Sequence, residues 1–272
     1  MKVAVISGAS SGIGREIALL LKHEYQVYDL SRSGQDEPGI LHIDTDVTEE
    51  ESVKAAFAQL EAREGKIDLL ICNAGYGIAG AAEFTPLCDA KRQMDVNFFG
   101  TVLCCQYALP LLRASHGRIL AISSAAATFP IPFQSFYSAS KAAINAYICA
   151  LRNEVRSMGI TASAILPGDT KTGFTAARKK ETDGEGIYGG RIASSIAVME
   201  KDEEKGMKPE SVARTVVRIA KKRRVRPLYT AGFSYKLLTP VERLLGTTLV
   251  NRLIGILYVK KPKGASHGPE SI

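Results

Sequence analysis

The sequence predicts an α/β protein: a single doubly wound, mostly parallel sheet of about seven strands, helices on both faces and a C-terminal helical extension. Three observations carry this reading. Short β-branched runs alternate with stretches of helical periodicity, a glycine-rich turn stands between the first strand and the first helix, and no composition break divides the 272 residues. One domain over residues 1–259 is therefore expected, with a flexible tail at 260–272.

The elements follow in order. Strands are expected at Lys2–Ser7, Gln26–Ser31, Leu41–Ile43, Ile67–Cys72, Arg118–Ser123, Thr161–Leu166 and Pro227–Ala231. Between them, apolar residues recur at helical spacing over Ile13–Lys22, Glu49–Arg63, Gly100–Ala114, Tyr137–Met158 and Glu210–Lys221. Strands alternating with helices demand crossover connections, which make neighbouring strands parallel. Two segments break the rhythm. Residues 173–207 are rich in Gly, Lys, Glu and Ser and read as a functional flap, and residues 235–258 are apolar at roughly helical spacing.

Composition excludes several classes. Hydrophobic residues make up 46% and charged residues 23%, the balance of a soluble globular chain. The net charge of +7 is modest, and its basic residues lack the interleaved aromatics of a single-strand nucleic-acid groove, so no nucleic-acid partner is expected. The five cysteines have neither framework nor metal spacing, and Cys72, Cys104 and Cys149 lie in apolar runs, as reduced core thiols do in a cytoplasmic protein. His23, His42, His116 and His267 are scattered, which argues against a zinc enzyme and for no metal. An apolar strand from Val3 leaves no room for a signal peptide, and no apolar run approaches the length of a membrane span.

The turn after the first strand reads Ser7-Gly8-Ala9-Ser10-Ser11-Gly12-Ile13-Gly14. Glycines here allow a tight turn, let backbone approach a pyrophosphate and aim a helix N-terminus at the anion. The second strand ends Asp29-Leu30-Ser31-Arg32. An acid at that end would bond a ribose 2′-hydroxyl and an arginine a 2′-phosphate, so Ser31 and Arg32 favour NADP(H) over NAD(H). Asp29 keeps an alternative open, as a ribose ligand or as a buried, satisfied carboxylate.

Tyr137 and Lys141 stand four apart on an expected helix, hence on one face. An ammonium beside a phenol stabilises the phenolate and is expected to lower the Tyr137 pKa towards neutrality, where it exchanges a proton at working pH. Ser124 ends the fifth strand, thirteen residues earlier, and the carboxyl ends of strands are where a doubly wound sheet places its chemistry. The fourth strand ends in Asn73-Ala74-Gly75, Asn97 follows in Val96-Asn97-Phe98, and the sixth strand ends in Pro167-Gly168 with Thr172 beyond. Hydride transfer leaves charge on one oxygen, which calls for a proton source and a positioned donor. Ser124 lacks the Gly-x-Ser-x-Gly surroundings of an acyl nucleophile.

Order and spacing together closely resemble the short-chain dehydrogenase/reductase family, from Lys2 to about Ala231. The resemblance implies a Rossmann-like fold and a catalytic set. Tyr137 would be the general acid/base and Ser124 would hold the reacting oxygen. Lys141 would tune Tyr137 and hold the nicotinamide ribose, and Asn97 would anchor a water in a proton relay. It also implies that Gly8, Ser10, Ser11, Gly12, Ile13 and Gly14 form the cofactor loop. Asp46 and Val47 would contact adenine, Asn73, Ala74 and Gly75 would line the cleft, and Pro167, Gly168, Thr170 and Thr172 would grip the nicotinamide.

The expected activity is therefore NADP(H)-dependent interconversion of a ketone and a secondary alcohol. In family members of this kind the flap and the C-terminal segment choose the substrate, and the apolar 235–258 stretch resembles branches that act on steroid- or lipid-like ketones. Packing of those leucines on the core or a partner subunit is the other reading. Small polar or acyl-carrier-bound carbonyls, a tightly held cofactor in an isomerase or dehydratase, and a non-catalytic NADP-sensing regulator are the alternative functions. The basic run from Lys221 to Arg226 suits a solvated helix end, with peripheral contact to an anionic membrane surface, an acyl carrier or a phosphorylated ligand as the alternatives. The resemblance further implies a homo-oligomer associated through the Gly100 and Tyr137 helices.

Overall fold

In the computed structural model, residues 1–259 are described, with backbone alone at 233–234 and 236–245. The chain begins with β1 (Lys2–Ser7), α1 (Gly12–Leu21), β2 (Tyr25–Ser31), β3 (Ile40–Asp44), α2 (Glu50–Glu64) and β4 (Leu69–Cys72). It continues through β5 (Ile78–Ala79), α3 (Leu87–Met94), a π-helical turn at Asp95–Phe99, α4 (Gly100–Ser115), β6 (Arg118–Ile122), α5 (Ser135–Glu154) and β7 (Thr161–Pro167). The last elements are α6 (Phe174–Ala177), β8 (Lys179–Lys180), α7 (Arg191–Glu204), α8 (Pro209–Ala220), β9 (Leu228–Ala231) and α9 (Phe233–Tyr258).

Seven strands form one parallel sheet in the order β3-β2-β1-β4-β6-β7-β9, as the alternation predicts. The order reverses between β1 and β4, and there the crossovers leave opposite faces of the sheet and open a crevice. Side chains along β1 alternate. Val3 and Val5 join the core that contains Phe57, Leu60, Leu112 and Ile148 of α2, α4 and α5, while Ala4 and Ile6 join Ile17 and Leu21 of α1 and Val216 of α8. Each fully buried leucine or isoleucine contributes about 1.5–3 kcal/mol by leaving water. Terminations are local: left-handed Gly65 caps α2, and Pro209 opens α8 at its first turn.

Several boundaries differ from expectation. α5 starts at Ser135 and stops at Glu154, with a 3-10 turn and left-handed Gly159 ending the segment expected to run helical to Met158. α3 escapes the periodicity because it buries only Ala90 and Gln93. The expected flap at 173–207 is substantially structured: α7 buries Ile192, Ile196 and Met199, and β8 pairs with β5. The apolar 235–258 segment is helical, broken at Gly246 (φ 72°, ψ 159°). Ile254 is buried, whereas Leu249, Leu253, Ile256 and Leu257 are exposed; Leu237, Leu238, Val241, Leu244 and Leu245 have side chains outside the described set. The expected tail at 260–272 lies outside the described residues. Among the described residues no helix is long and apolar enough to cross a membrane.

Candidate active site

The carboxyl end of β1 turns sharply at Gly8 (φ 70°), whose N–H donates to Leu30 O at 2.8 Å. A Cβ on Gly14 would stand 2.3 Å from Gly8 O and 2.5 Å from Asn73 Nδ2, so only glycine lets α1 start this close to the turn. Asn73 latches the loop by donating from Nδ2 to Ser7 O (3.2 Å) and Gly8 O (2.9 Å), while the buried Ser7 hydroxyl accepts from the N–H of Asn73 and of Ala74. Ser11 caps α1 in extended conformation without a side-chain capping bond, and the first turn carries no acid. Its N–H groups suit an anion, so the loop fits a pyrophosphate. Gly8, Ser11, Gly12 and Ile13 line a cavity of about 870 Å³; Ser10 is exposed and Gly14 buried, and neither is on its wall.

At the β2 end of this cavity Arg32 is exposed on the wall, 3.9 Å from Asp46. Asp29 resolves as the buried, satisfied alternative: Oδ1 accepts from Ala9 N and Oδ2 from the Ser31 hydroxyl, both at 2.8 Å. Asp46 and Val47 line the wall nearby. Burial alone would raise the Asp46 carboxyl, but the Thr48 N–H and hydroxyl, with Arg32 and Arg92, hold it below its ordinary value.

The proton-handling groups converge from β6, α5 and the π-turn. Ser124 follows β6 in extended backbone, its Oγ accepts from Ala126 N at 3.1 Å, and it stands close enough to Tyr137 to pull the phenol's pKa down. Lys141 lies a turn beyond Tyr137 on α5, buried, its Nζ donating to Ile122 O at 3.0 Å and standing 5.8 Å from the Tyr137 ring centre. Asn97 is fully buried in the π-turn, a distortion frequent at functional sites. Its Oδ1 accepts from Tyr76 N (2.9 Å), and its Nδ2 donates to Tyr76 O and to Ser140 Oγ. Gly75 is the shared neighbour: a Cβ there would lie 3.0 Å from Asn97 Oδ1 and 3.4 Å from Lys141 Nζ.

Burial corrects one expectation. Loss of water around the Tyr137 hydroxyl pushes its pKa up to about 12, although Ser124 works in the opposite direction. Burial also pushes Lys141 down to about 8. The lysine does not bring the phenol towards neutrality here: desolvation sets the direction, and the ammonium donates to Ile122 O.

The turn after β7 closes the cavity from the other side. Thr172 would lie 3.8 Å from a Cβ on Gly12, and Thr170 Oγ1 donates to Gly168 O at 2.8 Å; Pro167, Gly168, Thr170 and Thr172 all line the wall with Asn73, Ala74 and Gly75. Beyond Tyr137 stand Phe174, its ring centre 5.6 Å from that of Tyr137, and Val250, Ile254 and Leu257 of α9.

Polar wall residues here escape the sequence reading. Tyr235 donates its hydroxyl to Asp169 Oδ2 at 2.6 Å, and its ring occupies the space a Gly168 Cβ would need, 2.0 Å away. Glu203 pairs with buried Arg178 and accepts from Thr175 at 2.6 Å. The acid directly after Pro167-Gly168, at a strand's carboxyl end, was the available signal for Asp169.

Comparison with known proteins converges on the same reading. The short chain dehydrogenase family model matches residues 2–183. A 3-ketodihydrosphingosine reductase of Bacteroides thetaiotaomicron is 38% identical over 223 residues, covering 80% of this chain and 83% of that protein. A probable short-chain type dehydrogenase/reductase, VdlC, of Helicobacter pylori is 31% identical over 271 residues, 97% of this chain and 100% of that protein. Among solved structures, an alcohol dehydrogenase from the archaeon Thermococcus sibiricus, complexed with 5-hydroxy-NADP, aligns with TM-score 0.68 at 25% identity, over 85% of this chain and 94% of that one. Motif order, strand order and relatives therefore agree, and the chain belongs to the short-chain dehydrogenase/reductase family.

Proposed function

We propose that this oxidoreductase is an NADP(H)-dependent reductase of hydrophobic, lipid- or steroid-like ketones, with Tyr137 as proton donor. The observation that carries the reading is one continuous cavity. It runs from the glycine loop and Arg32, past Ser124 and Tyr137, to the apolar side chains of α9. A solved relative complexed with an NADP derivative supports a nicotinamide cofactor, and the 3-ketodihydrosphingosine reductase likeness supports a long-chain lipid ketone.

When bound, the cofactor supplies the hydride; the chain supplies position and a proton. Gly8, Gly12 and the start of α1 would hold the pyrophosphate, Arg32 the 2′-phosphate, and Asp46, Val47, Asn73 and the Pro167–Thr172 turn the remainder. Ser124 would steady the carbonyl oxygen while Tyr137 donates its proton to it. A phenol pushed up to about 12 is protonated at neutral pH, the form that reduction of a ketone requires. Lys141 would hold the ribose and favour the phenolate left behind, and Asn97 would anchor a water leading to a proton relay. The same proposal takes residues 1–259 as one domain and the chain as a homo-oligomer through α4 and α5.

The test is a panel of 3-ketodihydrosphingosine, a keto steroid and small sugars or polyols, following NADPH and NADH consumption separately. NADPH-dependent turnover of a lipophilic ketone is expected. Turnover confined to sugars or polyols, or equal use of the two cofactors, contradicts the substrate and cofactor parts respectively.

A further inference from the structure

Among the described residues, the wall of the cavity carries charged side chains that neither the cofactor loop nor the proton-handling set uses, Asp169 and Glu203 among them. Asp169 lies on its wall immediately after Pro167-Gly168, partly buried, close enough for its charge to act on the Tyr137 phenol. One oxygen, Oδ2, accepts the Tyr235 hydroxyl. The side-chain charges that act on it most, among the described residues, are those of Asp202 and Glu203, both of its own sign. Its neighbour Glu203 is differently placed, matched by the buried Arg178 guanidinium and the Thr175 hydroxyl. The buried Asp29, by contrast, has both oxygens bonded, by Ala9 N and Ser31 Oγ.

A partly buried carboxylate that no cation among the described residues matches is better satisfied when a positive partner arrives. Another part of the wall is apolar, formed by Phe174 and by Val250, Leu253, Ile254 and Leu257 of α9. An occupant suited to both parts carries a long apolar chain, a carbonyl at the Tyr137–Ser124 pair and a positive group close to that carbonyl.

We propose that Asp169 is a specificity-determining residue that receives a substrate ammonium adjacent to the reacting carbonyl, so that the substrate class is long-chain α-amino ketones. This rests on the reading above that the chain reduces lipid ketones. 3-Ketodihydrosphingosine, named in the relative from Bacteroides thetaiotaomicron, is one such compound, with its amine on the carbon next to the ketone. The Tyr235 hydroxyl orients the carboxylate, and Gly168 leaves room for the Tyr235 ring. A neutral ketone of the same length fills the apolar wall and reaches Tyr137 but leaves Asp169 without its cation.

The experiment compares kcat/KM for 3-ketodihydrosphingosine, its N-acetyl derivative and the des-amino ketone of equal length, in wild type and Asp169→Asn. The asparagine keeps an acceptor for Tyr235 and removes the charge. Wild type is expected to prefer the free amine about tenfold or more, mainly through KM, and the variant to lose most of that preference. A wild-type preference near one, or a preference that survives the substitution, overturns the assignment while leaving lipid-ketone reduction intact. The wild-type comparison decides even where the variant folds poorly. Turnover of none of the three lipids refutes the lipid-ketone reading itself, and the assignment with it.

Discussion

The two ends of the cavity are held by different means. Around the glycine loop the holding bonds end on backbone at one side at least: Gly8 N to Leu30 O, Ala9 N to Asp29 Oδ1, and Asn73 Nδ2 to the carbonyls of Ser7 and Gly8. At the substrate end, side chains brought from distant segments do the holding, with Tyr235 on Asp169, Arg178 on Glu203 and Phe174 against Tyr137. Such close-set backbone is intolerant of added atoms, which suits a cofactor whose shape is fixed. Side-chain scaffolding can be exchanged residue by residue, which suits a pocket that selects among ketones.

That contrast can be broken or sharpened by substitution. The largest binding effect is expected from Gly14→Ala, whose Cβ would meet Gly8 O at 2.3 Å. Overpacking of this kind costs about 1–3 kcal/mol, so NADPH affinity measured by fluorescence titration should fall roughly ten- to hundredfold. Arg32→Ala removes a charge-assisted contact worth about 1.5–3 kcal/mol and should weaken NADPH more than tenfold while leaving NADH nearly as it was. Equal weakening of both would detach Arg32 from the 2′-phosphate.

Lys141→Met separates function from stability. The lysine's pKa, ordinarily 10.5, is pushed down to about 8 by burial, so the unfolded chain binds more protons between those values. Its burial therefore destabilises the fold most fully below pH 8, and that cost disappears as pH rises beyond 10.5. Allowing for the lost bond to Ile122 O, Lys141→Met should gain about 2 kcal/mol at pH 7 by denaturant unfolding, the gain shrinking in alkali, while activity falls. A loss of stability would show that the buried ammonium is fully compensated. The smallest effect belongs to the substrate end: Gly168→Ala displaces the Tyr235 ring and should raise the ketone KM several-fold, by more than it raises that for NADPH.

The same contrast governs what can be read from the sequence. Glycine spacing and the strand–turn–helix order are backbone requirements, so the loop, the sheet, the approach of Ser124, Tyr137 and Lys141 to one cavity and of Asn97 and Lys141 to Gly75 are legible in it. Asp29 stayed ambiguous until its partners Ala9 and Ser31 were known, because alternation fixes a face but not a hydrogen bond. The direction of the Tyr137 pKa was misread because spacing shows a neighbouring charge but not the loss of water that outweighs it. The Asp169–Tyr235 pair spans 66 residues and belongs to no local pattern. α7 was hidden by the glycine-rich run before it, although Ile192, Ile196 and Met199 carry its buried face.

The central claim is that Tyr137 supplies the proton from its place beside Ser124. The measurement that bears on it most directly is single-turnover NADPH oxidation with 3-ketodihydrosphingosine in wild type and Tyr137→Phe, with cofactor binding measured alongside. Loss of the proton donor should slow the chemical step by about 10²–10⁴-fold while NADPH still binds. Equal rates in the two proteins would contradict the account.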